Sequence, residues 1–197
     1  MRRLLLIRHA DTEATRRAAF PLDESLDAAG LAAAGALAGR LGRGEALCSP
    51  ALRARETARA AALEAAVVPE LRECDFGTWA GRTLAEIHVQ DRAGARAWMT
   101  DPGARPHGGE PLTDLLTRVG AWLDVLAHKD GRAIAITHGG VVKAAVVHAL
   151  DAPAAAFWRV DVAPLTVTEL HGHDGHWTLT RVNAPVESGG SALGAVA

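Results

Sequence analysis

The clearest hydrophobic pattern is an unbroken apolar run, Leu4-Leu5-Leu6-Ile7, that ends on Arg8 and His9. A run of this kind predicts a strand buried on both faces. Arg132–Thr137 repeats the pattern and stops at His138-Gly139-Gly140. Two shorter strands are expected at Glu45–Cys48, stopped by Ser49-Pro50, and at Ala65–Val68, closed by Pro69. Between them the period changes to that of a helix. Leucines at 26, 31, 37 and 41 predict a helix over Leu26–Leu41. Pro50 is placed to start another over Ala51–Leu63. Thr83 with Glu86 forms a capping box. Leu112, Leu115, Leu116, Val119, Leu123 and Leu126 share one helical face, and Val141–Leu150 continues as a further helix. Finally, Thr166–His171 and Trp177–Val182 alternate apolar and polar residues around Asp174-Gly175, the signature of a hairpin.

Strands alternating with helices, followed by a hairpin, predict an α/β fold. The expected architecture has three layers, α/β/α, with a mostly parallel central sheet and a C-terminal β-hairpin. Residues 1–184 are expected to form one domain and the Gly/Ser/Ala-rich 185–197 a disordered tail. The polar stretch Asp11–Ser25 is expected to be a long loop whose acids, Asp11, Glu13, Asp23 and Glu24, face solvent.

Composition narrows the picture further. The chain has 197 residues, 49% of them hydrophobic and 22% charged, as expected of one soluble globular domain. With no Tyr, three Phe and five Trp, the core must rely on Leu, Val and Ala. A net charge of −2 provides no overall field for nucleic acid or an anionic membrane. No stretch reaches the ~20 apolar residues of a membrane span. The run Leu4–Ile7 is also too short for a signal peptide, so a cytoplasmic location is expected. Cys48 and Cys74 form no CxxC motif and are expected to be buried free thiols.

The candidate chemistry comes from where the strands end. In a parallel sheet Arg8-His9, Ser49 with Arg53, Glu73, and His138-Gly139 all follow strands at the same rim, where open α/β sheets bind ligands. Two arginines and two histidines around one point make a pocket for phosphate. A neutral imidazole can attack phosphorus to give a phosphoramidate. Glu73 is the carboxylic acid available at that rim to protonate a leaving alkoxide.

These residues also carry a family resemblance. Leu-Ile-Arg8-His9-Ala-Asp-Thr12-Glu, Ser49-Pro-Ala-Leu-Arg53-Ala-Arg-Glu-Thr57-Ala58, Leu71-Arg-Glu73 with Gly77, Trp79 and Gly81, and Thr137-His138-Gly139-Gly140-Val occur in this order. Together they resemble the histidine phosphatase superfamily, whose fold is phosphoglycerate mutase-like. The resemblance implies that His9 is the phosphorylated histidine, that Arg8, Arg53 and His138 form the phosphate pocket, and that Glu73 is the proton donor. Gly108-Gly-Glu110-Pro-Leu with Arg118 is similar to a stretch common in the phosphatase branch. It adds Glu110, with Thr15 and Gly139, as expected substrate-binding residues. Ala10, Asp11 and Thr15 depart from the usual Gly, Glu and Asn.

The activity so implied is hydrolysis of a small phosphorylated metabolite, without metal or cofactor. Substrates left open are α-ribazole phosphate, a phosphosugar or a broad set. A phosphoglycerate mutase-type transferase and a non-catalytic phosphate-binding domain are the alternatives. The region 82–110 carries few cations (Arg82, Arg92, Arg96 and Arg105), which argues against a mutase. His171, His173 and His176 flank a tight turn, where a solvated tip is the expected state and a metal site the less favoured one. Trp79, Trp98, Trp122 and Trp158 are expected in the core or the pocket wall.

Overall fold

The computed structural model describes residues 1–186. The strands are β1 (Arg2–Arg8), β2 (Glu45–Cys48), β3 (Ala66–Val67), β4 (Gly131–Thr137), β5 (Val167–His173) and β6 (His176–Ala184). They form one sheet in the order β3-β2-β4-β1-β5-β6. The pairs β1–β4, β2–β4 and β2–β3 are parallel, while β5 adds antiparallel to β1 and β6 antiparallel to β5. The sheet is therefore mostly parallel, and the C-terminal hairpin completes it at one edge.

Alternation along β1 explains the layers. Leu4 and Leu6 face a core shared with α6 (Leu112–Ala127) and α7 (Gly139–Ala149), where Leu115, Val119, Leu123 and Val142 are buried. Leu5 and Ile7 face the opposite core, with Leu37 and Leu41 and with Ala54 and Ala58 of α3 (Leu52–Ala60). Both faces are covered, so the run carries no polar residue. A smaller third cluster, Phe20, Trp79, Ile87 and Ala95, lies against α4 (Leu84–Gln90) and α5 (Arg92–Thr100). Asp91 ends α4 and caps α5, its Oδ1 accepting the Gly94 N–H at 2.8 Å. The Thr83–Glu86 capping box is formed as expected.

Two expectations are corrected. The helix expected over Leu26–Leu41 is only α2 (Ala28–Gly35), followed by turns, and Leu31 is 51% exposed. Gly30 gives the reason. A Cβ there would lie 2.2 Å from the Asp11 carbonyl oxygen, so α2 is placed by backbone contact rather than by a leucine stripe. The segment Asp11–Ser25 is also not a merely solvated loop. It holds a one-turn helix, α1 (Glu13–Arg16), capped by Thr12. Asp23 Oδ1 accepts the Leu52 N–H at 2.7 Å, and Glu24 Oε1 accepts the Thr12 hydroxyl at 3.0 Å. These two acids therefore tie the loop to α3 and to its own start.

Cys48 and Cys74 are buried and free. Among the described residues no helix is long and apolar enough to cross a membrane. The chain is packed through Val186, whose carbonyl accepts from Arg40 Nη2 at 3.0 Å. Of the tail expected at 185–197, residues 187 onward lie outside those described.

One buried carboxylate fastens the hairpin to β1. Glu169 is 3% exposed and accepts from Arg3 Nε at 2.6 Å and Arg181 Nη2 at 2.8 Å, with His171 Nε2 at 2.7 Å. Burial works against its charge, but the hydrogen bonds from Arg3, His171 and Arg181 outweigh burial and hold its pKa at about 2. Because this lies below the ordinary 4.5, the stabilisation is full above that value and is lost as pH falls towards 2. Thermal midpoints of wild type and Glu169→Gln should differ by several degrees at neutral pH and converge on acidification below pH ~4.5. A gap that stays constant down to pH ~2 would contradict this account of the network.

Candidate active site

The three parallel strands β1, β2 and β4 deliver their C-terminal residues to one place. Arg8 closes β1, and the His9 N–H bonds the Thr137 carbonyl of β4 at 2.8 Å. His138 follows β4 at the N-cap of α7. Ser49 follows β2, and Arg53 lies in the first turn of α3.

His9 is 5% exposed. Its Nδ1 stands 2.7 Å from the Ala10 carbonyl, an acceptor only, so this nitrogen carries the proton. Its Nε2 accepts from Arg53 Nε at 3.1 Å and is therefore the bare nitrogen. The same guanidinium places Nη2 3.1 Å from His138 Nδ1 and donates from Nη1 to the Leu22 carbonyl at 2.9 Å. Because an arginine can only donate, His138 Nδ1 is also an acceptor, and its Nε2–H points to Ser49 Oγ at 2.7 Å. The two rings stand edge to face with centroids 5.1 Å apart. Burial foremost, then the Arg53 charge, lower the His9 pKa to about 3; the hydrogen bond to the Ala10 carbonyl pulls the other way, and the Arg8 charge adds a smaller lowering. Burial foremost, then Arg53, also keeps His138 neutral.

Arg8 donates from Nη1 to the Val162 carbonyl at 2.6 Å, while its Nε is buried without a partner among the described residues. An unpaired buried guanidinium N–H is a costly group that an anion would satisfy. Glu73 reaches the same place from the loop after β3. Its Oε1 accepts the Cys74 N–H at 3.0 Å and its Oε2 accepts the Gly140 N–H at 3.2 Å, in the first turn of α7. Glu73, Arg8, Gly139 and Gly140 line one cavity of about 220 Å³.

The expected residues thus divide. Arg8, His9, Arg53 and His138 come together, with Glu73 and Gly139 beside them. Thr15 and Glu110 have side-chain partners of their own. The Thr15 hydroxyl lies 3.1 Å from that of Thr12. The Glu110 carboxylate is paired with Arg118 at 2.9 and 2.7 Å, and Arg118 also donates to the Glu70 and Arg72 carbonyls. Glu110 and Arg118 brace the segment leading to Glu73 against α6, and the structure gives Glu110 no contact with the His9 cluster. Ala10 lies outside the left-handed region of backbone space, so replacing glycine there costs no strain. The histidines of the hairpin are occupied singly, His171 with Glu169 and His173 with Asp174. No group of three or more metal-ligating side chains is assembled among the described residues.

Several contributors went unread in the sequence. Thr57 Oγ1 accepts the Ala10 N–H at 3.1 Å and donates to the Arg53 carbonyl at 2.7 Å, linking the His9 segment to Arg53. Gly140 is required by space, since a Cβ would lie 2.2 Å from Glu73 Oε1. The carbonyls of Leu22 and Val162 each hold one arginine, and backbone acceptors leave no trace in side-chain patterns.

These geometries fix the protonation of His9. Nitrogen NMR should show an Nδ1–H tautomer that stays neutral until pH approaches about 3. The folded value lies below the ordinary 6.5, so the associated stability is full above pH 6.5 and declines as pH falls. An imidazolium at His9 near pH ~6 would contradict the arrangement.

Comparison with known proteins gives the family. The sequence profile of the histidine phosphatase superfamily (branch 1) matches residues 4–185. A bifunctional protein of Mycobacterium tuberculosis is 35% identical over 195 residues, which cover 92% of this chain but 53% of that relative. The chain therefore spans about half the length of this relative. Glucosyl-3-phosphoglycerate phosphatase of the same organism is 31% identical over 193 residues, 87% of this chain and 86% of the relative. The solved structure of a mycobacterial glucosyl-3-phosphoglycerate phosphatase complexed with VO3 superposes with a TM-score of 0.83 at 28% identity, covering 93% of this chain and 100% of that one. By the profile match along nearly its whole described length, this chain belongs to the histidine phosphatase superfamily, branch 1.

Proposed function

We propose that the protein is a metal-independent phosphomonoester hydrolase that works through a phosphohistidine on His9. Relatives of the chain are glucosyl-3-phosphoglycerate phosphatases, which supports phosphatase activity here. The observation that carries the reading is the tautomer of His9, with Nδ1–H held by the Ala10 carbonyl and the bare Nε2 facing Arg53. An unprotonated nitrogen buried among arginines is a nucleophile prepared for an electrophile that is also an anion.

The steps follow from the donors present. A phosphate monoester enters beside Arg8 Nε and draws the Arg53 donors from the imidazole lone pairs onto its oxygens. The freed His9 Nε2 attacks phosphorus and the ester P–O bond breaks. Glu73 gives a proton to the departing oxygen, leaving a neutral alcohol. Water then attacks the phosphorus of phosphohistidine. Glu73 takes a proton from that water, the N–P bond breaks and inorganic phosphate leaves. Arg8 and Arg53 carry the charge on the phosphoryl oxygens in both steps. His138, backed by Ser49, keeps Arg53 aimed, and the Gly139-Gly140 turn brings the start of α7 to the same anion. Thr15 and Glu110 are the further residues proposed to contact the substrate. The substrate is a small phosphorylated metabolite, with α-ribazole phosphate, phosphosugars and acidic phosphate esters as the chemical classes to be compared. The protein acts in the cytoplasm, without a nucleic-acid or membrane partner.

His9→Ala should abolish turnover of p-nitrophenyl phosphate, while EDTA leaves wild type unaffected and vanadate inhibits it as an analogue of five-coordinate phosphorus. Turnover near the wild-type rate in His9→Ala, or loss of activity in EDTA, would refute the mechanism. Glu73→Gln should cost alkyl phosphates ~10²–10⁴-fold in kcat/KM but p-nitrophenyl phosphate much less, because the phenolate leaves without a proton. Gly140→Ala, whose Cβ would displace the Glu73 carboxylate, should show the same selective loss in milder form. Equal losses on both ester types would remove Glu73 from the proton-donor role.

A further inference from the structure

His107, on the connection between α5 and α6, is 1% exposed and takes no part in the phosphoryl chemistry. Its Nδ1 accepts the Gly109 N–H at 3.0 Å, so Nε2 carries the proton. That Nε2–H is buried without a hydrogen-bond partner among the described residues. The ring stands edge to face against Trp79 and Phe76, with centroids 5.2 and 6.1 Å away. Burial lowers its pKa, with the Asp75 charge pulling the other way, so Nδ1 stays an acceptor.

A buried N–H with no partner costs stability, and an apolar side chain of similar size would avoid that cost. An imidazole is of use here only through its other nitrogen. The bond from Nδ1 to the N–H two residues on closes a tight turn over Gly108, whose φ is +73°, as an Asn or Asp side chain does in an Asx-turn. This turn is fastened at both ends to the segment that carries Glu73. At one end the His107 carbonyl accepts the Thr78 N–H at 2.9 Å and the Thr78 hydroxyl at 3.2 Å. At the other, the Glu110 N–H donates to the Asp75 carbonyl at 2.8 Å, and Cys74 Sγ donates to the Glu110 carbonyl at 3.2 Å. Between them Gly109 lies so close that a Cβ would meet the Asp75 carbonyl oxygen at 2.0 Å. Opening the turn would therefore move Cys74 and Asp75. The Glu73 carboxylate would move with them, because its Oε1 is held by the Cys74 N–H.

We infer that His107 is a positioning residue for Glu73: its Nδ1 sets the turn against which the segment carrying that carboxylate is seated. The kinetic consequence rests on the phosphomonoesterase reading above, whereas the seating itself does not.

Two readouts test it. Amide hydrogen exchange at Gly140, whose N–H donates to Glu73 Oε2 at 3.2 Å, reports where the carboxylate sits. Val142, bonded to the His138 carbonyl in the same helix, is the control. In His107→Leu the Gly140 N–H should exchange about tenfold faster, the scale of one lost hydrogen bond, with Val142 unchanged. His107→Asn, whose Oδ1 can replace Nδ1, should stay close to wild type. The second readout is the ratio of kcat/KM for glycerol 3-phosphate to that for p-nitrophenyl phosphate. It should fall about tenfold in His107→Leu, part of the cost of losing the acid itself, and hold in His107→Asn. Adding His107→Leu to Glu73→Gln should lower the ratio no further.

Unchanged Gly140 exchange in His107→Leu, or an equal acceleration at Val142, overturns the inference. So does a ratio that falls in Glu73→Gln but not in His107→Leu. Faster exchange at Gly140 alone, with the ratio unchanged in Glu73→Gln itself, supports the seating and refutes Glu73 as proton donor. If His107→Leu fails to fold, His107→Gln replaces it, since its carbonyl lies one bond beyond the Nδ1 position. Gly140 exchange that is the same in His107→Gln and His107→Asn then overturns the inference, and faster exchange in His107→Gln supports it.

Discussion

The site depends on one buried cation that has no carboxylate bonded to it. Arg53 is 3% exposed, and its donors end on the two imidazoles and on the Leu22 carbonyl. Burying a guanidinium among neutral acceptors is costly, and it is sustained here because the N–H groups that point inward are all paired. The consequences spread outward. Both imidazoles must present lone pairs to it, so both stay neutral, and their remaining N–H groups must find acceptors, which are the Ala10 carbonyl and the Ser49 hydroxyl. The charge itself stays without a bonded counter-ion, which makes the site receptive to an anion.

Backbone then does what side chains do not. The Glu73 carboxylate is held by two amide N–H groups, one from its own loop and one from α7, and that seat exists because residue 140 lacks a Cβ. The loop that follows is fitted as closely. A Cβ at Gly77 would lie 2.1 Å from the His107 carbonyl oxygen, and one at Gly109 would lie 2.0 Å from that of Asp75. These approaches, together with the Glu110–Arg118 bridge, fix the segment carrying the acid relative to α6 and so to the sheet. Glu73 is placed from two sides at once, although the strand before it, β3, is only two residues long.

What could be read from the sequence follows from what each residue type can signal. Leu4–Ile7 and Ala133–Ile136 have no polar residue because both sheet faces are covered, so their burial was legible, and with it the shared rim of Arg8, Arg53 and His138. The leucines at 26 and 31 misled, because α2 is positioned by Gly30 against a carbonyl rather than by an apolar stripe. Asp23 and Glu24 looked solvated, since an acid that accepts a distant N–H or hydroxyl is indistinguishable in sequence from one in water. Glu110 was expected at the substrate because its neighbours resembled a binding stretch, and the structure pairs its carboxylate with Arg118 of α6.

The central claim is that His9 Nε2 becomes bonded to phosphorus during turnover. The direct measurement is to mix wild-type protein with a phosphomonoester, quench in alkaline denaturant, where phosphohistidine survives, and locate the modification by peptide mass spectrometry. The account predicts phosphate on the peptide containing His9, stable to base, lost in acid and absent when His9 is replaced. Turnover with no phosphorylated peptide under rapid quench, or phosphate on another residue, would contradict it.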